Sequence, residues 1–190
     1  MKALEQRILT DGKVLPGGIL KVDGFLNHRI DPQLCFEMAQ ELKRLYEGAG
    51  VNKLLTIEAS GIALGCMTGY VFQSTLVFAK KSKTKNISDS LWSVEVESFT
   101  HGNRNTVIVS KEYLGPGDRV LIVDDFLATG AALIGLRALV EQAGGTVVGA
   151  GIAIEKAFQG GGDKLRAQGL RVESLAKIAR MTDDGIEFCD

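Results

Sequence analysis

Residues 119 to 132, RVLIVDDFLATGAA, constrain the fold more than any other stretch. Arg119 to Val123 is a short apolar run led by β-branched residues, the pattern of a central parallel strand covered on both faces. Asp124 and Asp125 are expected to end that strand. After Phe126 and Leu127, the small residues Ala128, Thr129, Gly130, Ala131 and Ala132 predict a tight turn into a helix. In that helix Leu133, Leu136 and Val140 recur at helical spacing. Thr129 is its expected cap. Unpaired N–H groups at a helix start favour an anion, and a phosphate fits best. Two carboxylates at the end of an apolar strand are costly unless donors, solvent, a metal or a ligand satisfy them. Carboxylates accept from sugar hydroxyls and can hold magnesium directly or through water. One short segment can thus grip both ends of a sugar phosphate. The same order of strand, acid, glycine loop and helix also occurs in α/β proteins without such a ligand. Neither GxxxxGK[ST] nor GxGxxG is present.

The flanks repeat the theme. Lys53 to Glu58 reads as a strand, Ala59-Ser60-Gly61 as a small loop, and Leu64 to Phe72 as a helix. This second anion-suited unit is a weak signal alone and gains weight from preceding the acidic segment. Leu76 to Lys80 predicts another strand, running into Lys80, Lys81, Lys83 and Lys85. That basic run is either a solvated surface or a partner for a polyanion. Thr146 to Ile154 predicts a buried strand ending at Glu155-Lys156, which puts a lysine on the functional edge of the sheet. Asp31-Pro32 starts a helix with Leu34, Met38, Leu42 and Leu45 as its buried stripe. Val94, Val96 and Phe99, then Val107 and Val109, alternate on either side of His101-Gly102-Asn103, a hairpin pattern. Ile19 to His28 is too apolar for a free arm and is expected to fold back over the protein. Gln159 to Gly162 reads as a flexible turn, Asp163 to Gln168 as a short helix, Val172 to Ala179 as a strand, and the tail as a short final strand.

These elements predict an α/β fold: a twisted, mainly parallel sheet flanked by helices, in a single domain over residues 1–190, with a lid hairpin over about 82–113. A net charge of -1 gives no general support for nucleic-acid binding. No stretch is apolar and long enough to span a membrane. The three cysteines lack metal-site spacing, which points to a reduced, cytoplasmic protein. With only His28 and His101, a histidine zinc site or a Ser-His-Asp hydrolase is disfavoured.

VLIVDDFLATGAA resembles the phosphoribosyl pyrophosphate (PRPP) motif of the type I phosphoribosyltransferases: a hydrophobic strand, two acids, two mainly apolar residues and a small-residue turn containing Thr-Gly. In length and motif order the chain is similar to the bacterial branch of that family that acts on xanthine. The resemblance implies the type I fold, with a small hood formed by about residues 1–30 and 156–190. It implies a homodimer that uses PRPP with Mg2+ and no nucleic acid or membrane partner. It implies that Asp124 and Asp125 act on the ribose and that Ala128, Thr129, Gly130, Ala131 and Ala132 hold the 5′-phosphate. Ser60, Gly61, Lys80 and Lys81 would receive pyrophosphate. Leu20, Asn27 and Lys156 would hold the base. Lys156 suits the carbonyl oxygen of a 6-oxopurine and disfavours adenine, but cannot separate xanthine from guanine or hypoxanthine. A hypoxanthine/guanine enzyme is therefore the nearest alternative. A purine-responsive transcription regulator is the alternative from another class.

Overall fold

Side chains alternate across a strand, so a strand that is apolar throughout must feed two cores. The computed structural model describes residues 1–81, 90–97, 104–182 and 185–189. Helix α1 (Lys2–Asp11) leads into a hairpin of β1 (Lys13–Leu15) and β2 (Ile19–Lys21), then a π-helical turn over Asp23–Asn27. There follow α2 (Pro32–Leu45), β3 (Lys53–Ile57), α3 (Gly61–Phe72), β4 (Thr75–Ala79), β5 (Leu91–Glu97) and β6 (Arg104–Ser110). The chain continues through β7 (Arg119–Leu127), α4 (Ala131–Gln142), β8 (Thr146–Lys156), a 3-10 turn at Ala157–Gln159, α5 (Gly161–Ala167), β9 (Val172–Thr182) and β10 (Gly185–Phe188).

The main sheet has the order β10-β9-β8-β7-β3-β4, parallel except for β10. From β7, Leu121 and Val123 join a core with α1, α2 and α3, while Val120 and Ile122 join a core with α4, α5 and the β5–β6 hairpin. The mainly parallel sheet between helices is the architecture expected from the sequence. α2 starts where Asp31-Pro32 places it: Asp31 Oδ1 accepts from the N–H groups of Gln33 and Leu34, at 3.1 and 3.2 Å. Such a cap contributes about 1 kcal/mol. Gly151 lets α2 settle onto β8, since a Cβ there would come within 2.7 Å of Leu42.

Several boundaries differ from the sequence reading. β7 does not end at the acids. It runs on to Leu127 because β8 keeps pairing with it, through Asp124 with Ile152 and Leu127 with Glu155. β3, by contrast, pairs with β7 only as far as Leu55 with Ile122. The stretch from Asp124 therefore has a strand on one side and an open notch on the other. α3 begins at Gly61, not Leu64, and α5 at Gly161, so the glycines read as a flexible turn form a helix start. β9 extends past Ala179 to Thr182. The arms of the hairpin pair as the alternation predicts, from Leu91 with Ser110 to Glu97 with Arg104. Phe99, the His101–Asn103 tip, Lys83 and Lys85 lie outside the described residues, as do positions 183, 184 and 190 of the tail.

Candidate active site

From β3 the chain moves outward to β4, and from β7 it moves outward the other way to β8 and β9. The gap between β3 and β7 is thus a topological switch point, where the C-terminal ends of parallel strands diverge and leave a crevice. Two strand-to-helix loops face each other there. One joins β3 to α3 through Glu58, Ala59 and Ser60; the other joins β7 to α4 through Ala128, Thr129 and Gly130. A cavity of about 310 Å³ opens between them, lined by Glu58, Ser60, Lys81, Asp124, Asp125 and residues 126 to 133. Neither helix has a side-chain cap. Thr129 is not the cap of α4; Gly130 takes that position at φ 86°, a left-handed conformation glycine adopts without steric cost. The first amides of α4 therefore keep donors for an anion.

The acids are buried to 5% exposure and are held differently. Asp125 ties the site together. Its Oδ1 accepts from Ser60 Oγ at 2.9 Å and its Oδ2 from Asn27 Nδ2 at 3.3 Å. Asp124 Oδ1 accepts the backbone N–H of Asp125 at 3.1 Å. α3 presses closely on this arrangement. A Cβ at Gly61 would overlap Thr56 Oγ1 and come within 2.7 Å of Asp124 Oδ1.

Burial, and next the charge of Asp125, push the Asp124 carboxyl well above the usual carboxylate range. In acid both the folded and unfolded forms of this group are protonated. As pH rises past the unfolded value, the unfolded chain ionises while folded Asp124 keeps its proton. The group therefore costs stability progressively up to its folded value, and the cost then levels off. Asp124→Asn is expected to melt at a higher temperature than the parent, with a gap that is small in acid and widens toward neutral pH. Thermal melts across a pH series check this; a gap that does not change with pH contradicts it.

The two lysines of the basic run separate. Lys81 lines the cavity, and its backbone N–H donates to Glu58 Oε1 at 2.6 Å. Lys80 bridges to Ile108 of β6 through its backbone, while its ammonium lies 5.8 Å from the Phe78 ring and faces a second cavity. Residues 78 and 80 share one face of the strand and 79 and 81 the other, so strand periodicity alone could have divided them. Lys156 does not line that cavity; its Nζ donates to the Gly18 carbonyl at 2.9 Å and lies 5.5 Å from the ring of Phe126, which does. Burial lowers its pKa. Asn27 reaches the crevice through Asp125, whereas Leu20 sits 6% exposed in the core beside Val22, Phe25 and Leu26. Asn27 Oδ1 is buried with no partner among the described residues. Sequence reasoning did not single out Phe126 as a site residue, nor the contacts of Gly61.

Residues 25–167 match the model of the phosphoribosyl transferase domain. The chain is 51% identical over 190 residues to a xanthine phosphoribosyltransferase of Finegoldia magna, covering 100% of each. It is 49% identical to that of Lactobacillus delbrueckii subsp. bulgaricus, over 99% of this chain and 100% of the relative. Among solved structures it resembles the adenine phosphoribosyltransferase of Rhodothermus marinus, with a TM-score of 0.75 and 24% identity, covering 93% of this chain and 98% of the other. The corresponding enzyme of Thermoanaerobacter pseudethanolicus gives a TM-score of 0.68 and 28% identity, covering 77% and 82%.

Proposed function

Because the chain belongs to the phosphoribosyl transferase family, we propose that it joins the 5-phosphoribosyl group of PRPP to N9 of xanthine. The products are xanthosine 5′-monophosphate (XMP) and pyrophosphate, so the reaction returns a free purine base to the nucleotide pool. The observation that carries this reading is the bond from Ser60 to Asp125, which locks one anion loop to the acid pair beside the other. The curated relatives at about half identity support xanthine as the base. The adenine enzymes among the solved structures speak for the fold.

The 128–132 loop takes the 5′-phosphate on the amides at the start of α4. Asp124 and Asp125 accept from the ribose hydroxyls. The charge of Asp125 offsets positive charge that develops on the ring, with Asp124 joining it where the incoming positive charge draws off its proton. The α3 loop and Lys81 stabilise the departing pyrophosphate. Lys156 donates to the purine oxygen at C6 and, with Phe126 beside it, sets N9 on the face opposite the leaving group. The C1–oxygen bond breaks with its electron pair going to pyrophosphate, the N9–C1 bond forms, and the N9 proton passes to water or to the departing pyrophosphate. Two adjacent carboxylates fit Mg2+ held mainly on substrate oxygens, since no group of three or more candidate ligands occurs among the described residues. Asp124 and Asp125 would hold that ion through water or the ribose hydroxyls. When bound, it offsets the charge of pyrophosphate.

The same reading makes the protein a cytoplasmic homodimer. The free cysteines Cys35, Cys66 and Cys189 suit a reducing compartment. Among the described residues no helix is long and apolar enough to cross a membrane. Phe78, on the edge strand β4, is exposed, as are Tyr70 and Tyr113.

Lys156→Met is expected to raise KM for xanthine by roughly 10- to 100-fold, the loss of a charge-assisted hydrogen bond of about 1.5–3 kcal/mol, with KM for PRPP nearly unchanged. Steady-state kinetics with each substrate varied in turn check it; a rise confined to PRPP contradicts the assignment. One observation favours guanine as the base. Asn27 gives one of its two amide N–H donors to Asp125, and its Oδ1 acceptor is unpartnered among the described residues, which suits the amino group at C2 of guanine. Xanthine needs a donor there, which the second amide N–H of Asn27 can supply. The reaction itself is tested by incubating the protein with PRPP, Mg2+ and xanthine and quantifying XMP and pyrophosphate. Equimolar formation of both is expected. PRPP binding without turnover of any purine would overturn the enzyme reading in favour of a sensor.

A further inference from the structure

β8 ends on two adjacent residues whose side chains leave opposite faces of the strand. Lys156 reaches the turn of the N-terminal hairpin at Gly18. Glu155, fully buried, faces α5. Its carboxylate accepts from the two terminal guanidinium nitrogens of Arg166, at 2.9 and 2.6 Å, and from the hydroxyl of Ser174 on β9. Arg166 also donates from Nε to the Val172 carbonyl at 3.2 Å, which fixes the helix to β9 as well.

α5 is a short wedge with two working faces, separated as helical periodicity requires. Gly161 and Leu165 face the phosphate loop. A Cβ at Gly161 would overlap the Ala128 carbonyl oxygen and lie 2.7 Å from the Gly130 nitrogen, and a Cβ at Gly130 would lie 3.1 Å from Leu165. Gly162 and Arg166 face Glu155. A Cβ at Gly162 would overlap Glu155 Oε1. Gly161 is thus a close backbone contact, where α5 rests on the 128–130 loop with no side chain between. Gly162 leaves room for the Glu155 carboxylate, and Gly160, at φ 74°, only turns the chain into the helix.

We propose that Glu155, acting through Arg166 and α5, is a positioning residue for the loop at 128–132, and that Gly161 is the point of contact through which it acts. This rests on the reading of that loop as the 5′-phosphate site. The buried ion pair sets the height of α5, and α5 sets the height of the Ala128–Gly130 backbone. Removing one partner leaves the other charge buried and unpaired, so the helix shifts. The loop on the far side of the crevice, from Glu58 to Gly61, makes no described contact with α5 and keeps its shape.

The two anion loops can be read separately by calorimetric titration of the full-length protein with Mg2+, using ribose 5-phosphate as one probe and pyrophosphate as the other. Gly161→Ala is expected to weaken ribose 5-phosphate by about tenfold or more while leaving pyrophosphate within about twofold. Arg166→Ala is expected to do the same, and Arg166→Lys to restore part of the loss, so the proposal stays testable if Gly161→Ala fails to fold. In turnover the same variants raise KM for PRPP and leave KM for xanthine near the parent value. Equal weakening of both probes, or of neither, overturns the proposal. A parent protein that binds pyrophosphate but not ribose 5-phosphate overturns the loop assignment itself, and the proposal with it.

Discussion

Asp125→Asn is expected to lower kcat by about 10²- to 10³-fold, the usual cost of removing one preorganised electrostatic group from a site where charge develops. The substitution separates charge from geometry. Asp125 accepts from Ser60 on one oxygen and from Asn27 on the other. An asparagine keeps the shape and one acceptor, and Asn27 can turn its amide to present the unpartnered Oδ1 to the new NH2 group. The site therefore stays assembled, and what is lost is the negative charge beside the ribose. KM for PRPP should change far less than kcat, because the interaction is strongest when the sugar carries positive charge. Steady-state kinetics and a thermal melt of the variant check both halves. A variant that keeps most of its turnover contradicts the electrostatic role. One that loses PRPP binding and kcat in equal measure points to a ground-state contact instead.

Gly61→Ala is expected to cost nearly as much, about 10²-fold in kcat/KM for PRPP. The added methyl would overlap Thr56 Oγ1 and approach Asp124 Oδ1 to 2.7 Å. Thr56 is fully buried and cannot swing into solvent. α3 must move outward, taking with it Ser60 and the bond that joins the two halves of the site. The result would be a misplaced pyrophosphate loop on a folded protein, visible as lower affinity for pyrophosphate and an unchanged far-UV circular dichroism spectrum. Gly61→Ala binding pyrophosphate as tightly as the parent contradicts the account. Together with Gly161→Ala, which is directed at the opposite loop, it gives a pair of methyl insertions with opposite ligand signatures.

The sheet and the acid pair were legible because both are local patterns. The continuous apolar run at 120–123 specifies a strand covered on both faces, and Asp31-Pro32 specifies a helix start. The end of β7 was not legible, since it depends on how far β8 continues beside it. Gly161 and Gly162 misled for a related reason. Glycine marks both flexible turns and close backbone contacts, and only the loop at 128–130 lying against α5 decides between them. The division of Lys80 from Lys81 was available from strand parity, although the basic run drew attention to charge and not direction. The contact of Asn27 with Asp125 spans 98 residues of sequence and depends on the whole N-terminal segment folding back. No periodicity could reveal it.

Base choice is where the central claim is most exposed, because the role proposed for Lys156 is toward the oxygen at C6 that xanthine, guanine and hypoxanthine share, and one amide N–H of Asn27 is held by Asp125. The direct test is kcat/KM for xanthine, guanine, hypoxanthine and adenine, measured side by side with PRPP and Mg2+. The account predicts xanthine ahead of each of the others by at least about tenfold, with adenine last, since a buried donor left unpaired penalises the wrong base. Guanine or hypoxanthine ahead of xanthine would contradict it: guanine ahead would mean that Asn27 offers the base its Oδ1 acceptor, and hypoxanthine ahead that Asn27 gives C2 no donor.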